Sequence, residues 1–286
     1  MTTVAHPFLK WVGGKTQLLP HLMHLFPKRV KTYYEPFLGG GAVFFALAAE
    51  KRFERAVLSD WNLELVETYR VVRGFPDDLM RLLRDIEAEY KASPEATYFK
   101  WQQIEDPDFA AKLAKRPTSR AARFVFLNKA GFNGLYRVNR KGKCNVPWGQ
   151  RLTVTTFNEE NLRACSETLD RWASLRHGDF ESTVSEAGVE DLVYLDPPYV
   201  PKNVTSNFTG YTKGGFKLEA HRRVAKTFRD LYERGCYVVA SNADLPLVRE
   251  LYEGFELHEV PARRSINSKG SKRGPVGELI IVGRRA

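Results

Sequence analysis

Apolar and polar positions change rhythm twice along this chain. In its first third, TYYEPF (32–37) has the apolar, β-rich make-up of a strand and GGG (39–41) that of a tight turn. AVFFALAAEK (42–51) then reads as a helix and AVLSD (56–60) as a second strand. Strand, helix and strand in that order predict a parallel sheet with helices on its faces. From about Trp61 the rhythm becomes helical. Leu79, Leu82, Leu83, Ile86 and Tyr90 recur at helical spacing, and SRAARFVFLN (119–128) predicts a further helix. KAGFNGLYRVNRKGKCNVPWGQR (129–151) is rich in Gly, Asn and basic residues and poor in core formers, which predicts a surface β-hairpin with loops. After about residue 155 strand and helix alternate again. LVYLD (192–196), CYVVASN (236–242) and the closing ELIIVGR (278–284) read as strands. KLEAHRRVAKTFRDLYERG (217–235), with Leu218, Val224, Phe228 and Leu231 inward, and LPLVRELYEG (245–254) read as helices. The expected fold class is α/β, with a core of residues 1–61 and 155–286 interrupted by a mostly helical insertion at 62–154.

Composition changes this picture little. The chain has 286 residues, 43% of them hydrophobic, which permits one large domain or a domain with an insertion. No apolar run approaches a membrane span. The opening MTTVAHPFLKW lacks the apolar core and cleavage site of a signal peptide. Cys144, Cys165 and Cys236 have neither metal-like spacing nor an even count, so free thiols in a reducing cytoplasm are expected. Charge adds more. The net is +10, yet residues 109–158 hold eleven Lys and Arg with no acid, and residues 260–277 hold five more with no acid. The rest of the chain is therefore net negative. Such segregation directs the protein toward a polyanion, and nucleic acid is the expected partner.

Four stretches carry candidate chemistry. In VYLDPPY (193–199) the strand must stop at Asp196, because Pro197 and Pro198 cannot donate to a sheet ladder. The stiff turn that follows lies at the carboxyl end of a strand, where open α/β sheets place ligands. It presents a carboxylate, proline-flanked carbonyls and the Tyr199 ring; a strand-ending turn with a surface acid is the plain alternative. EPFLGGG (35–41) forms a strand–turn–helix cradle for a nucleotide-like ligand, and Asp60 follows about twenty residues on, where an acid binds ribose hydroxyls. The spacing is not G-x-G-x-x-G, and Glu35 would repel a pyrophosphate. A cationic cofactor such as S-adenosylmethionine suits that acid better, with an ordinary glycine turn as the alternative. FLKWVGGK (8–15) offers an indole and an ammonium around two glycines, or simply an amphipathic terminal segment. RHGDF (176–180) either ends a strand or supplies an acid and a ring that bracket an adenine.

The order FLKWVGGK, EPFLGGGAVF, LSDWN, HGDF, LDPPY resembles the DNA adenine-N6 methyltransferases of the α arrangement, the D12 class. The stretch NKAGFNGLYRVNRKGKCNVPWG narrows the resemblance to the Dam-type group, and SNFTGYTKGGF (206–216) and RRSINSKGSKRG (263–274) are similar to that group's segments after the catalytic loop. The likeness runs from residue 8 to 282. It implies a Rossmann-like, S-adenosylmethionine-dependent core with residues 62–154 as the target-recognition domain. It implies that Trp11 and Lys15 contact S-adenosylmethionine, with Lys15 on its carboxylate, and that Pro36 to Gly41, including Gly39, pass under the methionine part. Asp60 is implied to bind the ribose, and Asp179 and Phe180 to lie against the adenine. Asp196, also beside the cofactor, forms the catalytic loop with Pro197, Pro198 and Tyr199. On the DNA side, Lys10 is the candidate for a first guanine and Arg137 offers a fork for another. Leu135 and Pro147 suit a thymine methyl, Phe132 a wedge beside the flipped base and Asn133 the orphaned thymine, so GATC is the expected sequence. Phe132 and Leu135 also fit a small apolar cluster holding the hairpin. Phe132 stands where many relatives have tyrosine, and the all-glycine turn where some carry alanine or serine.

The expected reaction needs these residue types. An adenine inside a duplex must be flipped out to be reached, at a cost of a few kcal/mol. Its N6 lone pair is delocalised, so acceptors at Asp196 and the Pro197 carbonyl would hold both N6–H groups and turn the lone pair outward. Positive charge then develops where a fixed carboxylate stands. Tyr199 would stack on the base, and no covalent enzyme intermediate is needed. Cytosine N4, RNA or a protein amide are rival acceptors for such a loop, and a DNA-binding regulator with an inactive core is a rival of another class. Intact Lys15, Asp60 and Asp196 argue against the last. A monomer acting on double-stranded DNA in the cytoplasm, at the nucleoid, is expected.

Overall fold

A computed structural model describes residues 3–105, 107–139, 143–200, 216–262 and 276–285. Arg140 and Lys141 of the hairpin, most of the 206–216 stretch and the whole 263–274 segment lie outside the described residues. In chain order the elements are α1 (Leu19–Leu25), β1 (Val30–Glu35), α2 (Ala42–Ala49), β2 (Phe53–Asp60), α3 (Leu63–Gly74), α4 (Pro76–Ala92), α5 (Pro94–Gln103), α6 (Pro107–Lys115) and α7 (Pro117–Ala130). There follow α8 (Glu159–Trp172), β3 (Ala173–His177), α9 (Phe180–Thr183), β4 (Leu192–Leu195), α10 (Leu218–Glu233), β5 (Tyr237–Ala243), α11 (Pro246–Leu251), β6 (Glu256–Ala262) and β7 (Val276–Gly283). Contacts divide the chain into two compact units.

The second unit takes residues 15–38, 50–61 and 178 onward. It holds six of the strands, in the order β2-β1-β4-β5-β7-β6. β1 runs parallel to β2 and to β4, and β4 parallel to β5, whereas β7 is antiparallel to both β5 and β6. All four residues of β4 are buried, the signature of a parallel strand covered on both faces. α10 turns Val224, Phe228 and Leu231 into one core with Val193, Leu195, Val238 and Ile281. Leu218 is only half-buried, and His221 joins the inward face instead. Strand order switches between β1 and β4, since the chain passes from β1 to β2 on one side and from β4 to β5 on the other. A crevice for ligands therefore belongs at the carboxyl ends of these strands. Glu35 and Asp60 close β1 and β2, and Asp196 follows β4 directly, so three carboxylates sit at that end of three neighbouring parallel strands.

The first unit takes the N-terminal residues to Gly14, together with 39–49 and 62–177. α7 is its centre and packs against α3, α4, α5 and α6. Ala121, Ala122, Phe124, Val125, Phe126, Leu127, Asn128 and Ala130 are all buried, so the helix is covered all round rather than on one stripe. α4 buries Leu79, Met80, Leu83, Ile86 and Tyr90, as its spacing predicts, with Leu82 half-buried at the margin. Among the described residues of the 129–151 stretch, antiparallel pairing is made by isolated bridges at Gly131–Trp148 and Val138–Cys144. No helix among the described residues is long and apolar enough to cross a membrane.

Candidate active site and DNA-contact residues

In the second unit, the loop leaving β4 carries a polar network. Lys15, in a 3-10 turn, places its Nζ 2.7 Å from Asp196 Oδ1, and the two side chains are 4% and 17% exposed. Ser241 Oγ, on β5, donates to the same oxygen at 2.8 Å and lies 2.8 Å from the Tyr194 hydroxyl. The Lys15 ammonium also stands 4.7 Å from the centre of the Tyr199 ring. Burial pushes the Asp196 carboxyl above the usual range, while Lys15 and Ser241 pull against that rise. Nearby on β1, the buried Tyr33 hydroxyl donates to Glu35 Oε2 at 2.9 Å. The Pro36 carbonyl accepts from Ser59 at 3.5 Å. The Asp60 carbonyl accepts from Gly178 N at 3.4 Å.

Asp179 caps α9 by accepting from Glu181 N at 3.0 Å. Arg223 donates to Asp179 at 2.9 Å and to Glu181 at 2.7 Å, and its guanidinium lies 5.0 Å over the Phe180 ring. Phe180 is itself 4% exposed and stacks on Phe37 at 5.3 Å. The three cysteines are free and buried. Burial pushes the Cys165 and Cys236 thiols up to about 12 and about 11, which leaves neither as a nucleophile at neutral pH.

In the first unit, Trp11 packs on the glycine turn. Gly39 has φ +49°, and a Cβ there would meet Trp11 Cδ1 at 2.7 Å, so only glycine allows the indole this close. The Tyr69 hydroxyl fixes the turn by donating to the Gly39 carbonyl at 3.2 Å. Asn128, fully buried at the end of α7, clamps Lys10: its Oδ1 accepts from Lys10 N at 2.9 Å and its Nδ2 donates to Lys10 O at 2.7 Å. The same Nδ2 donates to Gly134 O at 3.0 Å, which ties Lys10 to the turn Phe132–Gly134. Phe132 and Asn133 are exposed on that turn, Leu135 is half-buried, and exposed Pro147 accepts from Phe132 N at 2.9 Å. The exposed Arg137 is held across the hairpin by Asn145, with Nε to Oδ1 at 2.9 Å. Lys10 lies within electrostatic reach of both Lys129 and Arg151. Burial and Lys10 bring the Lys129 ammonium down to about 8, and burial and Arg151 lower Lys10. Burial and a neighbouring cation disfavour the charge on both lysines, and such a site favours an incoming anion.

The structure thus groups Lys15, Asp196 and Tyr199 in one unit, and Lys10, Phe132, Asn133, Leu135 and Pro147 around one turn in the other. Sequence reasoning overlooked Asn128, Tyr194, Arg223 and Ser241. Their only signal is a polar residue inside or beside an apolar run, as in FVFLN and VVASN.

An open, mostly parallel sheet with antiparallel β7 between β5 and β6, and an Asp-Pro-Pro-Tyr loop leaving a central strand, defines a methyltransferase of the mixed α/β class. The model of the D12 class N6 adenine-specific DNA methyltransferase family matches residues 11–266, and the chain belongs to that family. It is similar to the type II methyltransferase M1.LlaDCHI of Lactococcus lactis subsp. cremoris, with 39% identity over 276 residues, covering 96% of this chain and 94% of the relative. The type II methyltransferase M.MjaIII of Methanocaldococcus jannaschii is 40% identical over 287 residues, covering 96% and 98%. The DNA adenine methylase of Escherichia coli K12 is 35% identical over 275 residues, covering 96% and 94%. The protein is an adenine-specific DNA methyltransferase, and DNA is its substrate.

Proposed function

We propose that the protein transfers the methyl group of S-adenosylmethionine to N6 of a flipped adenine in double-stranded DNA, within GATC. The observation that carries the chemistry is the Asp196 carboxylate, half-buried and held by Lys15 at the mouth of β4. The fit to the cofactor rests on charge: Glu35, Asp60 and Asp196 gather at one end of the sheet, which suits a sulfonium and an ammonium and opposes a pyrophosphate. Trp11, Lys15, Pro36, Gly39, Asp60, Phe180 and Asp196 are the residues that would hold it. When bound, S-adenosylmethionine supplies an electrophilic methyl group. The chain's own work is done by acceptors: Asp196 and the Pro197 carbonyl take the two N6–H bonds, Pro198 stiffens the loop and Tyr199 stacks on the base. Because the Asp196 carboxylate is fixed before the charge develops on N6, it stabilises that charge without reorganising.

The sequence preference follows from the residues around the 132–134 turn. Lys10 and Arg137 are the guanine readers, Leu135 and Pro147 touch the thymine methyl, Phe132 wedges into the stack and Asn133 meets the orphaned thymine. Residues 62–154 are taken as the recognition part and residues 1–61 with 155–286 as the catalytic part. The protein acts as a monomer in the cytoplasm. The test is to methylate a plasmid in vitro and sequence it with a modification-sensitive method. Methylation confined to the adenine of GATC is expected, with Arg137→Ala relaxing discrimination at one guanine by about tenfold or more. Methylation at an unrelated motif would refute the sequence assignment and leave the adenine chemistry standing.

A further inference from the structure

The hydrogen bonds around Asp196 extend one layer beyond the catalytic loop, into β5. Ser241 Oγ and Lys15 Nζ both contact Oδ1, at 2.8 and 2.7 Å, which makes Oδ2 the candidate oxygen for a substrate amine among the described residues. An ionised carboxylate only accepts, so the Ser241 hydroxyl must donate to it. Its lone pairs are then open to the Tyr194 hydroxyl at 2.8 Å, which must be the donor of that pair. Tyr194 and Ser241 are both fully buried, and Tyr194 is kept protonated by burial and by the Asp196 charge. The result is a one-way chain, Tyr194 to Ser241 to Asp196 Oδ1, built from two adjacent parallel strands whose register pairs Tyr194 with Val239 and Leu195 with Ala240.

We infer that Ser241 and Tyr194 are positioning residues for methyl transfer: they hold the Asp196 side chain in one orientation, with Oδ1 committed and Oδ2 presented to the amino group of the target base. The inference rests on the proposed role of Asp196 as the acceptor for that amino group. Without Ser241, a carboxylate on a single bond to a lysine rotates about χ2, and the near-attack geometry is populated less often. The charge on Asp196 is also less well supported. Among the described residues, Lys15 and Ser241 bond this carboxyl and Tyr194 and Tyr33 feel its charge, while Tyr199 lies against Lys15 and Glu35 is coupled to both tyrosines. Of these, Lys15 and Ser241 favour the ionised form.

The experiment measures kcat, KM for DNA and the pH dependence of kcat for the wild type, Ser241→Ala, Ser241→Thr, Tyr194→Phe and Asp196→Asn. Ser241→Ala is expected to lower kcat about tenfold or more with KM for DNA unchanged, and to move the acid limb of the kcat profile up by about one pH unit. Ser241→Thr restores the hydroxyl and should restore the limb. Tyr194→Phe should shift it in the same direction by less. Unchanged kcat and an unmoved limb in Ser241→Ala, or a loss of thermal stability with no kinetic change, would overturn the inference. Asp196→Asn separates the two levels: if it retains the rate and the acid limb, the failure lies in the role given to Asp196, not in Ser241.

Discussion

Lys15→Met isolates the ion pair at the centre of the network. Met matches the lysine stem in length but removes the ammonium that stands 2.7 Å from Asp196 Oδ1 in a site where the two side chains are 4% and 17% exposed. Breaking a buried pair from one side costs about 3–5 kcal/mol, because it strands the other charge. The Ser241 hydrogen bond remains, so the lower end, about 3 kcal/mol, is expected at pH 8. At about 2 °C per kcal/mol for a chain of this size, Tm should fall by about 6 °C. The deficit must also depend on pH. Asp196 is a carboxyl raised on folding, so the native state binds its proton more tightly than the unfolded state does. Its contribution to stability is therefore present below the unfolded pKa and is lost as pH rises through the folded one. Losing Lys15 raises the folded pKa further, so protonation at pH 5 relieves the stranded charge. Differential scanning calorimetry of both proteins at pH 8 and pH 5, at one ionic strength, should show the deficit shrinking to about half or less at pH 5. An equal deficit at both pH values, or none at either, would rule out a stranded Asp196 charge as its cause.

Asp60→Ala should weaken S-adenosylmethionine binding about tenfold by calorimetry through loss of a charge-assisted partner for the ribose; an unchanged Kd would remove that assignment. DNA affinity should fall steeply with salt, by about a thousandfold between 50 and 200 mM if roughly six phosphates are neutralised, and a flat dependence would contradict the charge argument. Asn128→Ala deletes a fully buried side chain that makes three hydrogen bonds, so it should cost about 2–3 kcal/mol and weaken DNA binding while leaving cofactor affinity intact. Equal loss of affinity for cofactor and DNA would assign Asn128 to general stability instead.

Some of this architecture is written in local pattern. β4 is legible because an apolar run meets two prolines, which end the ladder wherever they fall. α4 and α10 are legible because their buried residues repeat at helical spacing. β6 escapes notice because ELHEVPA carries polar residues and a proline. It is an edge strand bonded to β7 alone, where proline is tolerated. The candidate site divides in the same way. Asp196 announces itself through its neighbours, whereas Ser241 and Asn128 acquire meaning only through partners 45 and 118 residues away. Lys15 illustrates a further limit. An ammonium beside glycines reads as a ligand for a cofactor carboxylate, and its ion pair with Asp196 is revealed only by the packing of the 3-10 turn against the β4 loop.

The measurement that bears most directly on the account is transfer of labelled methyl from S-adenosylmethionine to duplex DNA by the purified protein, with the DNA digested to nucleosides and the labelled product identified. N6-methyldeoxyadenosine is the expected labelled nucleoside, with a loss of at least about a thousandfold in its rate of formation by Asp196→Ala and DNA binding retained. Label on cytosine, or a normal rate from Asp196→Ala, would contradict it.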